Sequence, residues 1–391
     1  MNFKFGKWII KIIIVSVLMN ITYAWGKPVI RLAILDNPKG NVDNPIISKN
    51  LENAYIQGIN TAVIAARSKG YDVKYKLFFY GNNLLEILKM INQVKAWKPD
   101  AVVGLHNSNQ LLVTKRFLKN IMVISLFASD KNVDFLPNTF HSLGIPDQEL
   151  VGIFMQFVTK KFPKKNIFLV VEADNKETMD MAKMFTIEMK KYHPKISVHQ
   201  EDYIQNDFKI LDLKKFLHAY SPPSVILVLS IDYYTSAFVM SKITNYLHDK
   251  KVSFITAVDN WSNDRAPTGS LSYYKGYRVT PFLMNLKEAN FLKFYKVFYH
   301  HYKNSPKYQI SYSTYNAVFS IIKALECYPN NSKDIRKRVL KSYQDAIINN
   351  PNWFRPHQFG VYKMTPGKEE LIPGFYLING DDKNNYACMG T

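Results

Sequence analysis

The residues best suited to chemistry lie in a few short segments, each following an apolar run. Gly104-Leu105-His106-Asn107-Ser108-Asn109 follows Ala101–Gly104 and precedes a helix-like stretch. Glycine permits a sharp exit from a strand, and Asn107 or Ser108 can cap the helix. The free N–H groups of a helix start form a ready anion site; a plain cap without a ligand would read the same way. Ser125-Leu126-Phe127-Ala128-Ser129-Asp130 follows Ile121–Ser125. Here Ala128 and Ser129 offer backbone amides and a hydroxyl, and Phe127 offers an apolar wall. Ile231-Asp232-Tyr233-Tyr234 and Ala257-Val258-Asp259-Asn260-Trp261 follow two further apolar runs. Aromatic rings and a carboxylate can hold an ammonium group, although Tyr-rich loops are also ordinary in a chain with 25 Tyr.

The elements that must position these loops follow from hydrophobic periodicity. Strands are expected at Val29–Leu35, Val73–Phe79, Ala101–Gly104 and Ile121–Ser125, and helices at Leu51–Ser68, Leu84–Ala96 and Ser108–Leu118. The alternation is the signature of a parallel, doubly wound sheet. It restarts with helix Glu149–Lys161, strand Ile167–Val171, helix Thr178–Tyr192, strand Ile196–His199, helix Leu213–Tyr220, strand Val225–Leu229, helix Ser236–Leu247 and strand Val252–Thr256. Helices at Ala289–Tyr302, Ser313–Glu326 and Lys333–Ile348 and strands at Gly360–Tyr362 and Phe375–Ile378 complete the chain. Ligands bind open α/β folds at the carboxyl ends of the strands, which is where the loops above fall.

Composition narrows the function further. The chain has 391 residues, 47% of them hydrophobic, with 16 Gly and 18 Pro; disordered and collagen-like classes are excluded. Lys4 and Lys7, the apolar Ile12–Met19 and Thr22-Tyr23-Ala24 read as a cleaved signal peptide over residues 1–24, so the periplasm is the expected location. The net charge is +20, but it rests on 43 Lys against 8 Arg, scattered without a basic arm. That pattern, together with export, argues against nucleic acid as a partner. Cys327 and Cys388 are the only cysteines, and a disulfide between them is allowed in an oxidising compartment.

Signatures of catalysis are missing. The sequence has no G-x-S-x-G, H-E-x-x-H, G-x-x-x-x-G-K-[ST] or G-x-G-x-x-G. His300-His301 is the one adjacent histidine pair, and neighbouring helix positions point to different faces. Asp36–Asn44 lacks the sixth-position glycine and the final glutamate of a calcium loop. No enzyme activity, metal or cofactor is expected.

The ordered set of segments resembles the type I periplasmic substrate-binding proteins of the branched-chain amino-acid (Leu/Ile/Val) group. Gly104–Ser108 resembles that family's G-x-x-x-S helix start, which places Ser108 at the ligand carboxylate. Ile124–Ser129 (ISLFAS) resembles its I-S-x-x-A-[ST] segment, and Leu143–Asp147 resembles the first crossing between lobes with the Asp that follows. Ile231–Tyr234 resembles its Gly-Gly-Tyr-Tyr loop, with Ile231-Asp232 in place of the two glycines. Lys275–Pro281 resembles the second crossing, Ser311–Val318 the helix after it, and Gly360 onward the return to the second lobe. The acidic ligand residue of the family falls near Val258 or Asp259.

The resemblance implies two doubly wound Rossmann-like lobes joined by three crossings. Residues 25–143 with 279–357 would form lobe one, and 144–278 with 358–391 lobe two. A small polar ligand, an amino acid or a relative of one, would be held by Asn107, Ser108, Phe127, Ala128, Ser129, Asp147, Tyr233, Tyr234 and Asp259. The receptor, expected to be a monomer, would pass it to a membrane ABC permease. A sensor or accessory protein using the same clamp is the alternative.

Overall fold

The structure is a computed structural model that describes residues 29–36, 45–81, 83–105, 108–126, 128, 132–133, 135–141, 147–163, 165–204, 225–229, 239, 243, 253–257, 275–281, 289–307, 309–350, 358–365 and 368–378. Two sheets organise them. The first runs in the order β2-β1-β3-β4-β5, from β1 (Val29–Asp36), β2 (Asp72–Phe79), β3 (Ala101–Gly104), β4 (Met122–Ser125) and β5 (Thr139–His141), all parallel. β3 (AVVG) and β4 (MVIS) are buried throughout, as unbroken apolar strands are when helices cover both faces.

On one face, Ile30, Leu32, Ile34, Val103 and Ile124 pack under α1 (Pro45–Ser68), α6 (Ala289–Tyr302), α7 (Gln309–Cys327) and α8 (Ile335–Asn349). On the other, Ala33, Leu35, Val102 and Val123 pack under α2 (Leu84–Trp97) and α3 (Ser108–Phe117). Asparagine or aspartate caps fix several starts; the Asn83 side chain accepts from the Glu86 amide and the Asp334 side chain from that of Arg336.

The second sheet runs in the order β12-β11-β10-β9-β8-β6-β7. β6 (Ile167–Glu172), β7 (Val198–Tyr203), β8 (Val225–Leu229), β9 (Ser253–Ala257) and β10 (Lys275–Pro281) are parallel; β11 (Gln358–Thr365) and β12 (Lys368–Ile378) add an antiparallel hairpin. α4 (Asp147–Lys161) and α5 (Lys176–Tyr192) cover the face bearing Ile167, Leu169, Val171 and Leu227. The order β7-β6-β8-β9-β10 repeats β2-β1-β3-β4-β5, so the two lobes share one topology. The chain passes between lobes after β5, after β10 and after α8.

Most predicted elements stand with their ends moved by a residue or two. Seven differ by more: α7 starts at Gln309 rather than Ser313, β11 runs over Gln358–Thr365 rather than Gly360–Tyr362, β12 starts at Lys368 rather than Phe375, and α1, β7, β5 and β10 differ as follows. Helix α1 starts six residues before Leu51, at Pro45, where a proline fits a first helical position. β7 begins at Val198, two residues after the expected Ile196, and runs on through polar Glu201 and Asp202 to Tyr203, because it is an edge strand with little to bury. β5 and β10 were not expected as strands. The helices expected at Leu213–Tyr220 and Ser236–Leu247 fall outside the described residues, apart from helical Val239 and Ile243, and so does the signal segment. No helix among the described residues is long and apolar enough to cross a membrane.

Candidate functional site

The site begins where β3 and β4 end. Gly104 has φ 132°, and a Cβ there would lie 2.2 Å from the Leu35 carbonyl oxygen of β1. Only glycine satisfies both the backbone angle and the close approach. Leu105 follows in the left-handed region at φ 65°, fully buried. These two turns bring the chain round to start α3 at Ser108.

Ser125, the last residue of β4, locks this loop to its neighbour. Its hydroxyl donates to the Leu105 carbonyl (3.0 Å) and accepts from the Ala128 amide (3.2 Å). The exits of two adjacent strands therefore form one stiff shelf. Ser108 and Ala128 are both buried in it.

The shelf is electrostatically one-sided. α3 has no acidic residue in its first turn and carries Lys115 and Arg116 in its last. Its amino end keeps the positive half of the helix dipole uncompensated by its own side chains. From below, the buried Lys115 ammonium donates to the carbonyls of Leu118 (3.3 Å), Ile121 (2.5 Å) and Asn138 (3.4 Å). It ties the end of α3 to the starts of β4 and β5. Loss of hydration on burial lowers its pKa from 10.5 to about 8.

Beside the shelf, β1 ends in the buried Asp36. The Tyr55 hydroxyl donates to the Leu35 carbonyl (3.1 Å). Burial, reinforced by the negative charge of Asp36, holds that phenol well above its ordinary pKa, so it stays a donor.

Of the nine residues singled out in the sequence, Ser108 and Ala128 stand together on lobe one. Asp147 is buried as the first residue of α4, directly after the first passage. The Ala128 amide is engaged by Ser125, so it faces inward; an anion would draw instead on the start of α3. Asn107, Phe127, Ser129, Tyr233, Tyr234 and Asp259 lie outside the described residues. Along the chain, Tyr233 and Tyr234 follow β8, and Asp259 follows β9, at the same strand ends in lobe two as the shelf occupies in lobe one.

Sequence reasoning named Ser125 only as the start of a segment and missed Lys115 altogether. It also missed Glu172, a buried carboxylate that ends β6. The signal for Glu172 was a charge closing the wholly apolar run IFLVV. Among the described residues, no group of three or more His, Cys, Asp or Glu side chains could hold a metal ion.

The chain matches no protein-family profile and no curated protein sequence. Solved structures match along its length. The leucine-binding protein LivK of Thermotoga maritima superposes with a TM-score of 0.70 at 12% identity, covering 89% of this chain and 98% of that one. This is the type I periplasmic-binding-protein fold. The branched-chain amino-acid transporter substrate-binding protein LivJ of Streptococcus pneumoniae, in complex with isoleucine, gives 0.67 at 14% identity, covering 88% and 99%. An ABC-transporter solute-binding protein of R. palustris, in complex with 4-hydroxybenzoate, gives 0.68 at 13% identity, covering 91% and 98%. In a type I fold the two repeated topologies are two lobes, and the loops at their strand ends border the cleft between them.

Proposed function

We propose that the protein is an exported solute receptor that clamps a small carboxylate between its lobes and delivers it to a membrane ABC permease. The observation that carries this reading is the Ser125-locked shelf at the ends of β3 and β4, with the amino end of α3 opening on it. A fixed set of N–H donors at a helix start suits an anionic oxygen pair. Leucine, isoleucine and 4-hydroxybenzoate, named for the structural neighbours, share a carboxylate and little else. A shelf for the carboxylate with variable walls around it fits that spread.

In this reading Asn107, Ser108, Phe127 and Ser129 form the lobe-one half, with Ala128 holding their loop in place through its bond to Ser125. Asp147, Tyr233, Tyr234 and Asp259 form the lobe-two half, with Asp259 facing an ammonium where the ligand is an amino acid. Lobe one comprises residues 25–143 and 279–357, and lobe two 144–278 and 358–391. Contacts made with both lobes at once favour the closed form, so ligand binding and hinge closure are one equilibrium. The protein binds its ligand without transforming it, works as a monomer in the periplasm and loses residues 1–24 on export.

Native mass spectrometry of protein purified without added ligand, followed by calorimetric titration with the amino acids and with aromatic carboxylates, tests the reading. The expected result is one class of bound carboxylate, with affinity abolished when that carboxylate is replaced by an amide. A bound ligand without any anionic group, or no binding by any carboxylate, overturns it.

A further inference from the structure

We infer that the outward face of α6 is a docking surface for an anionic phospholipid bilayer and holds the protein against a membrane whatever ligand it carries. The helix divides at helical spacing. Phe291, Phe294 and Phe298 are buried, and the ring centres of Phe291 and Phe294 lie 5.1 and 5.2 Å from that of Tyr312 on α7. Leu292, Lys293, Lys296, Tyr299 and His300, with Lys303 just past the helix, fall on the opposite side and are exposed.

The charge on this face is of one sign. Of the described helices only α3 and α6 carry no acidic residue, and α3 keeps its Lys115 buried. On α5, Glu177, Asp180 and Glu188 lie among the lysines; on α8, Lys341 pairs with Asp345 at 2.8 Å. Lys293, Lys296 and Lys303 form no ion pair among the described residues. The face is also held in shape. Lys303 ends the helix in the left-handed region at φ 57°, its N–H donating to the Tyr299 carbonyl (2.9 Å). The Tyr295 and Ser305 hydroxyls share a hydrogen bond (3.2 Å) that ties the following turn to the helix, and the exposed Lys307 extends the basic edge.

Two features select lipid over an acidic protein. The cations are lysines, compact charges on flexible stems that suit a diffuse negative surface; arginine better suits the fixed geometry of one particular carboxylate. Among them stand Leu292 and Tyr299, both exposed, with Tyr299 stacked on Tyr295 at 5.8 Å between ring centres. Aromatic and aliphatic side chains between lysines are what a helix lying in the headgroup layer presents. At physiological salt the screening length is about 8 Å, so only the lysines facing the bilayer feel it. The rest of the +20 net charge contributes little, which makes the contact specific to this face. The inference goes beyond ligand capture and requires no ligand.

Co-sedimentation of the exported protein with vesicles of phosphatidylcholine, alone or mixed with phosphatidylglycerol, tests it. Binding is expected on the mixed vesicles only. Each lysine close to such a surface is worth roughly fivefold in partitioning, so Lys293→Gln, Lys296→Gln and Lys303→Gln together should weaken binding about 100-fold. Leu292→Ser with Tyr299→Ser should weaken it several-fold at every salt concentration, because an apolar contact is not screened. Lys183→Gln, Lys190→Gln and Lys191→Gln remove the same charge from the exposed side of α5 and should leave binding within about twofold of the wild type. All the replaced side chains are exposed, so thermal melts of the variants should match the wild type. No binding to the mixed vesicles, an equal loss in the α5 variant, or an α6 face that binds polyglutamate or a second copy of the chain in place of lipid overturns the inference.

Discussion

The Ser125 hydroxyl serves two loops at once, and both of its partners are buried backbone groups. Ser125→Ala should cost about 1–3 kcal/mol, the usual penalty for leaving such groups without a partner; urea unfolding measures it. Ligand affinity should fall with it, because the shelf loses its lock. Lys115 makes a prediction in pH. Its folded pKa of about 8 lies below the 10.5 of an unfolded lysine. Below pH 8 both states hold the proton and the cost of burying the charge is at its full value. Between about pH 8 and 10.5 the unfolded state holds more protons, so this residue makes stability rise with pH. Denaturant melts at pH 8, 9 and 10 should show that rise in the wild type and its loss in Lys115→Met, which is also less stable throughout because three carbonyls lose their donor. Asp259→Asn should weaken an amino-acid ligand by about 30-fold, the lower range for breaking a buried charge pair. Calorimetry decides: unchanged affinity with a lowered melting temperature makes Asp259 a loop-stabilising residue. The sequence showed where the shelf lies, because a short β-branched run that ends in Gly or Ser marks a strand exit. It did not show that the Ala128 amide turns inward. That depends on a left-handed Leu105, a conformation that a leucine's identity does nothing to announce.

Between elements, the closest constraint is the contact of α1 with α7. A Cβ on Gly58 would fall 2.2 Å from both the Ser311 carbonyl oxygen and the Thr314 hydroxyl. Gly58→Ala must push one helix away from the other, and the backbone oxygen cannot yield as a flexible side chain would. A loss of about 1–3 kcal/mol is expected, with a correspondingly lower thermal midpoint. Gly104→Ala, which is both crowded by Leu35 and at φ 132°, should be worse and should also displace the start of α3. The same packing explains which elements were legible. β3, β4, β6 and β8 are short, largely apolar runs buried along their length, and such runs stand out in a sequence. β5 is three residues long and half-buried at a sheet edge. β10 (KGYRVTP) mixes charge, Gly and Pro. It holds its place through pairing with β9 on one side and β11 on the other, and pairing partners are a tertiary fact that no local pattern carries.

At the scale of the molecule, lobe one is built from two distant pieces of chain. One face of its sheet is covered by α2 and α3, which arise locally, but the other has only α1 locally and needs α6, α7 and α8, which come only after lobe two has been made. The ion pair of Lys69 with Glu326 and the bond of Thr314 to Tyr55 each join residues more than 250 positions apart. A fragment of residues 25–141 should therefore fail to unfold cooperatively by circular dichroism, whereas adding residues 289–350 in trans should restore a sigmoidal transition. The consequence reaches into biosynthesis. From the end of β5 to the end of α8 about 200 residues must be made, which at roughly 5–20 residues per second takes on the order of ten to forty seconds. For that interval the face bearing Ile30, Leu32, Ile34, Val103 and Ile124 has only α1 to cover it, a partly exposed apolar surface of high contact order whose escape from aggregation falls to chaperones.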